Sequence, residues 1–353
     1  MTVDTEESGR FSPGSIFEET RPYTPAVQRF ELGLSENPFP PLPSVLDELY
    51  HAMTQANRYP EFLPGRLPRV IADRIGVVPE QVVVGAGATG VAMQIMQALV
   101  GPGEEMVFAT PTFDGYPIMA RMAGVRTSTV PLDGHGRQDL WGIVRAIGPR
   151  TRVVVVCRPH NPTGTLISAA ELHAFLAAVP RRVVVVLDEA YVEFLHPADQ
   201  IDAVGLVRRN ANVVVLRTFS KAFGLAGLRI GYAFAGLALS SSIRRWQLPF
   251  GMNSAAVAAV TASYAAEDEL RERVRRITTE RERLAGQLRR LGVTVHDSHA
   301  NFLYLDGAHI APALRRAGIV AKSYPNGSAR IAVGDPAAGR AVVTALLEER
   351  IAG

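Results

Sequence analysis

Short β-branched runs recur through the middle of the chain without polar alternation: QVVVG, EMVFAT, TRVVVVCRP, RRVVVVLDEA, NVVVLRTFS and LRIGYAFAG. A strand with one wet face alternates apolar and polar side chains, so these runs predict strands buried on both faces. Helices on both sides of a mainly parallel sheet supply that cover, and helical stretches do separate the runs. The expected fold class is therefore α/β, with a three-layer α/β/α large domain. With 47% hydrophobic residues among 353, the chain can fill such a core. After Trp246 the pattern changes to one long helical stretch, about residues 254–291, and then to shorter strand candidates, VTVHD, NFLYLD, GIVAKS and ARIAVGD. That α+β character predicts a smaller second domain. The expected organisation is an N-terminal arm over residues 1–30, a large domain over 57–245, and a small domain built from 31–56 and 246–353. The segment SENPFPPLPS (Ser35–Ser44) reads as rigid and extended, because its prolines fix φ, and a helix is expected after it from about Val45 to Ala56.

Charge and cysteine usage exclude several partners. The formal net charge is +3 with no block of consecutive Lys or Arg, so no nucleic-acid partner is expected. Arg271–Arg290 mixes both signs at helical spacing and reads as a solvated helix face. No apolar run reaches membrane-spanning length, and the polar start resembles no signal peptide, so no membrane is expected. The single cysteine, Cys157, forms no intramolecular disulfide and fits a reducing, cytoplasmic compartment.

Gly85, Gly87 and Gly90 in VVVGAGATGV spell G-x-G-x-x-G between a strand and a helix. A dinucleotide site also needs an acidic residue at the end of the next strand, and Glu104 and Glu105 precede that strand instead. What remains is a phosphate site at a helix N-terminus. Other segments deliver polar residues just past strands: Asp188 and Tyr191 in VVVVLDEAYVEF, Thr218, Ser220, Lys221 and Arg229 in VVVLRTFSKAFGLAGLRIGY, and Asn161 in VVVVCRPHNPTG. In open α/β sheets, ligands bind outside the carboxyl ends of strands. A carboxylate, an amine, an amide and a phosphate loop together suit pyridoxal 5'-phosphate, which takes a lysine on its aldehyde and a carboxylate on its pyridine nitrogen. On this reading Asp188 holds the ring nitrogen protonated and Asn161 and Tyr191 bond the phenolic oxygen. Ala88, Thr89, Ser220 and Arg229 receive the phosphate, with Thr218 beside them.

SKAFGLAGLRIGY, NPTG and DEAYVEF resemble the fold type I pyridoxal-phosphate aminotransferases, specifically the histidinol-phosphate and aromatic branch. SENPFPPLPS, NRYPE and SHANFLYL match that branch in order and spacing, from Ser35 to Gly334. The resemblance implies an α-amino transfer to a 2-oxo acid by a ping-pong mechanism, with Lys221, Asp188 and Tyr191 as catalytic residues. It implies Phe113 stacked on the cofactor ring, Arg330 on the substrate α-carboxylate, and Tyr59 on the cofactor phosphate of the other subunit, hence a homodimer with shared sites. This chain departs from the family pattern in GAGATG and in RPHNP, which brings Arg158 and His160 near the site. Lys322 stands where histidinol-phosphate enzymes carry an arginine toward the substrate phosphate. A lysine lacks the guanidinium fork, so an aromatic side chain competes with histidinol phosphate as substrate. An aromatic pocket would draw on Phe250–Met252 and Tyr23, with Asn161 also facing substrate. Two other readings stay open here: a decarboxylase of a phosphorylated amino acid on the same scaffold, and a non-catalytic nucleotide-binding or regulatory protein.

Overall fold

The computed structural model describes residues 30–352, so the expected arm and Tyr23 lie outside the described residues. In chain order the strands are β1 (Phe30–Glu31), β2 (Val82–Ala86), β3 (Glu105–Thr110), β4 (Arg126–Pro131), β5 (Thr151–Cys157), β6 (Val184–Asp188) and β7 (Val213–Thr218). They continue as β8 (Ile230–Ala235), β9 (Thr294–Val295), β10 (Phe302–Asp306), β11 (Ile319–Val320), β12 (Lys322–Ser323) and β13 (Ala329–Ala332). A seven-stranded sheet runs in the order β2-β8-β7-β6-β5-β3-β4. Its strands pair in parallel except β8, which is antiparallel to both neighbours. This is the mainly parallel α/β sheet that the unalternating valine runs predict.

Successive side chains of a strand point to opposite faces, and the core divides accordingly. Val154, Val156, Val185, Leu187, Val213 and Val215 join one apolar cluster. Val153, Val155, Cys157, Val186, Val214 and Leu216 join the cluster on the other face. A third cluster lies under the four-stranded sheet β12-β13-β10-β9, against the helices Glu267–Arg290, Ile310–Arg316 and Pro336–Ala352.

Some elements differ from expectation. β4, RTSTVP, is a mostly polar edge strand, whose solvated face leaves no valine run to read. The long helical stretch is two helices, Ala256–Ala265 and Glu267–Arg290, broken at Ala266 where ψ is 45°. GIVAKS splits into β11, which pairs with β1, and β12, which pairs with β13 and sets Lys322 opposite Arg330. Leu42 and Val45, with Ala256, Ala259 and Val260, belong to the core of the large sheet. Packing therefore joins these segments to the large sheet, although the division drawn at Trp246 counts them with the smaller part. Strand runs alone do not reveal which helices cover them.

The join of β2 to the helix Gly87–Leu99 is tight. Gly87 turns the chain at φ 74°, and its amide donates to Arg229 O at 2.9 Å. A Cβ on Gly231 of β8 would stand 2.2 Å from the Ala88 nitrogen and 2.3 Å from the Gly87 carbonyl carbon. Both obstacles are backbone. Gly231→Ala should lower stability by about 1–3 kcal/mol. In urea unfolding the midpoint should fall with the slope unchanged, and an unmoved midpoint would show that the helix start shifts freely.

Candidate active site

Parallel pairing brings strand ends together. Cys157 ends β5 opposite Asp188, which ends β6, and Thr218 ends β7 beside them. These ends open into a cavity of about 500 Å³ between the large sheet and the segments 33–36 and 322–330. Asn161, Asp188, Tyr191, Thr218, Ser220, Lys221, Arg229 and Arg330 all line it, and so do Ala88, Thr89, Phe113 and Lys322.

The Lys221 amine donates to the carbonyl and the hydroxyl of Ser35, at 2.8 and 2.9 Å. Burial pulls its pKa down to about 8, and the Arg330 guanidinium adds to the effect while the Glu36 carboxylate opposes it. Asp188 is buried, which raises its pKa, but a hydrogen bond from the Tyr116 hydroxyl and another from the Ala190 amide at 3.0 Å favour the carboxylate. Burial holds the Tyr116 hydroxyl far above its ordinary pKa, so it remains a donor. Tyr191, pushed up to about 12 chiefly by burial, shares a 3.0 Å hydrogen bond with Ser35 Oγ and accepts one from Asn161 Nδ2 at 3.2 Å.

Asn161 Oδ1 accepts from Arg330 Nη1 at 2.7 Å, while Arg330 Nη2 donates to Gly33 O at 2.8 Å. Arg330 Nε, although buried, has no partner among the described residues. On the opposite side, Thr218 Oγ1 donates to Ser220 Oγ at 2.9 Å, and Arg229 stands 3.5 Å from that same hydroxyl. Arg229 adopts φ 52°, a left-handed conformation that costs a non-glycine residue about 1–3 kcal/mol when other contacts impose it. A Cβ on Gly87 would fall 2.3 Å from its guanidinium, so the bare glycine leaves that room.

Some expectations need correction. Arg158 and His160 do not face the cavity. Arg158 is buried and donates to Ile167 O at 2.8 Å and to Asp199 O at 2.6 Å. His160 bonds Thr163 Oγ1 at 2.9 Å and is held neutral by burial, its pKa lowered to about 3. Phe250 packs on Tyr59 and Phe62 at the surface, and Met252 belongs to the core, so neither builds the cavity. Tyr59 is 85% exposed and lies outside the cavity of its own chain. The motifs also leave unmarked Ser35, Tyr116, Asp114 and Tyr324. Ser35 lies in SENPFPPLPS and Tyr116 three residues after Phe113, but nothing local marks them as partners of Lys221 and Asp188.

Residues 28–346 match the family model for aminotransferase class I and II. The chain belongs to that family. It is 43% identical over 310 residues to an aromatic amino acid aminotransferase of Streptomyces coelicolor, covering 87% of this chain and 86% of the relative. Identity is also 43% over 340 residues to the enzyme of that name from Rhodococcus opacus, covering 95% and 90%. Among solved structures, the histidinol-phosphate aminotransferase of Sinorhizobium meliloti in complex with pyridoxal-5'-phosphate superposes with a TM-score of 0.85 at 29% identity, covering 92% of this chain and 91% of that one. Membership of this family answers the reading of a non-catalytic nucleotide-binding protein, and the large sheet is that of fold type I.

Proposed function

We propose that this aminotransferase uses pyridoxal phosphate to move the α-amino group of an aromatic L-amino acid to a 2-oxo acid. The cavity supports the cofactor chemically. It holds an amine depressed to about 8, a buried carboxylate, and a separate anion-receiving end. At that end the first turn of the helix Gly87–Leu99 brings Ala88 and Thr89 to the hydroxyl of Ser220 and the guanidinium of Arg229. First-turn amides lack intrahelical acceptors, and the helix dipole favours an anion there. Lys221 is the residue for the cofactor aldehyde, Asp188 for the ring nitrogen, Asn161 and Tyr191 for the phenolic oxygen, and Phe113 for the ring face.

The bound cofactor withdraws electrons from the substrate α-carbon. Arg330 orients the substrate by its α-carboxylate, with a buried Nε that no described residue engages and a planar fork suited to bidentate contact. With the cofactor bound, Lys221 Nζ would take the proton from the substrate α-carbon and pass it to the carbon that was the cofactor's aldehyde, a task for an amine whose pKa lies close to working pH. Asp188 keeps its counterpart proton in place because Tyr116 and the Ala190 amide stabilise its charge.

The observation that carries the substrate reading is the ion pair between Lys322 and Asp114. It neutralises the cation expected to meet a substrate phosphate, and the named relatives act on aromatic amino acids. We further infer a homodimer, since Tyr59, Phe62, Leu248 and Phe250 form an exposed apolar surface that would bring Tyr59 to a second copy's phosphate end. A cytoplasmic location fits the free thiol of Cys157.

With a common 2-oxo acid acceptor, kcat/KM for phenylalanine should exceed that for histidinol phosphate by about tenfold or more. The reverse order would overturn the aromatic reading. Because only the free amine attacks an aldehyde, the rate of reconstituting apoenzyme with pyridoxal phosphate should rise with pH and level off above about 8. Levelling near an ordinary lysine value would remove the argument from burial. Mixing Tyr59→Phe with Lys221→Ala subunits should give hybrid dimers with one intact site, and activity above the sum of the parents. No gain on mixing would count against shared sites.

A further inference from the structure

Charges around the cavity divide by task once the proposed aromatic reading is taken as the starting point. Lys221 and Asp188 face the cofactor ring, Arg229 the phosphate end, and Arg330 the α-carboxylate. Glu36 acts on Lys221, which leaves Asp114 and Lys322 for the side-chain end. Among the described residues Lys322 is therefore the cation left there, and its Nζ is paired with Asp114 Oδ2.

The two partners come from different parts of the fold. Asp114 precedes the helix Gly115–Met122, next to Phe113, whereas Lys322 lies on β12 with Arg330 as its register partner on β13. Like charges directly opposite on neighbouring strands repel. An acidic residue reaching Lys322 from across the cavity relieves that repulsion and occupies the ammonium. Tyr324 beside it stays protonated, since burial raises its pKa. With Leu34 and Phe113 completing the wall, the described residues offer a substrate side chain no uncompensated positive charge at this end.

We propose that Asp114 is a specificity-determining residue: by neutralising Lys322 it turns away anionic side chains and keeps this end of the cavity for uncharged aromatic ones. An anionic side chain entering the cavity would have to displace the Asp114 carboxylate from Lys322 and then remain beside it. An aromatic side chain leaves the pair intact and packs against its neighbours. Specificity of this kind comes from a repulsive element as much as from an attractive one. The Asp114 side chain is 56% exposed and the Lys322 side chain 36%, so the pair adds little to folding and its removal leaves the fold in place.

The test measures equilibrium binding of two unreactive carboxylates to the holoenzyme by calorimetry. Glutarate places a second carboxylate at the side-chain end, and 3-phenylpropionate places a neutral ring there. Asp114→Asn should raise the ratio of glutarate to 3-phenylpropionate affinity by about tenfold. Asp114→Ser, which also removes the charge, should do the same, and adding Lys322→Ala to either variant should abolish the gain. An unchanged or lowered ratio in both single variants overturns the proposal, as does a gain that survives Lys322→Ala. Neither measurement depends on turnover. Failure of the wild-type enzyme to transaminate phenylalanine would instead defeat the aromatic reading itself.

Discussion

The site exists because several buried strands end together. Within the sheet the middle residues of β5, β6 and β7 (153–156, 184–187 and 213–216) all face apolar packing, and polar groups stand toward the strand ends. Register then determines which groups become neighbours: Cys157 beside Asp188, with Thr218 on the next strand. Asp188 can remain charged at such a depth because donors reach it from elsewhere, Tyr116 from the helix Gly115–Met122 and its own segment through the Ala190 amide. The carboxylate, its donors and the strand ends depend on one another.

The fold class and most of the site were legible in the sequence for a local reason. The glycine loop, NPTG, DEAY and SKAFGLAGLR each follow a strand directly, so strand order alone carries them to one edge. Residues delivered across long sequence distances were not legible. Ser35 meets Lys221 from 186 positions away, and Tyr116 meets Asp188 from 72. No periodicity or motif spacing encodes such a meeting. Arg158 and His160 misled for the opposite reason. They flank a motif closely, but the turn after β5 directs both side chains into the interior, where backbone carbonyls hold Arg158 and a threonine holds His160.

Lys322 shows that a residue's position can be read from a pattern while the partner of its charge cannot. Its strand carries it to the cavity as the pattern GIVAKS implied, yet its electrostatic meaning depends on Asp114, which belongs to another segment of the chain. A cation read in isolation from sequence says little about the ligand it will accept.

Asn161 spans the crossing between the large sheet and the four-stranded one, donating a hydrogen bond to the Tyr191 hydroxyl and accepting one from Arg330. A side chain rotated by half a turn would aim its NH₂ group at a guanidinium that has only protons to offer. The amide is therefore orientationally locked, and it transmits a sense of direction: donor toward Tyr191, acceptor toward Arg330. An aspartate would offer acceptors on both sides and a leucine neither. Of side chains this size, an asparagine amide alone is polarised along the crossing, and so it ties the large sheet to Arg330 and the small one.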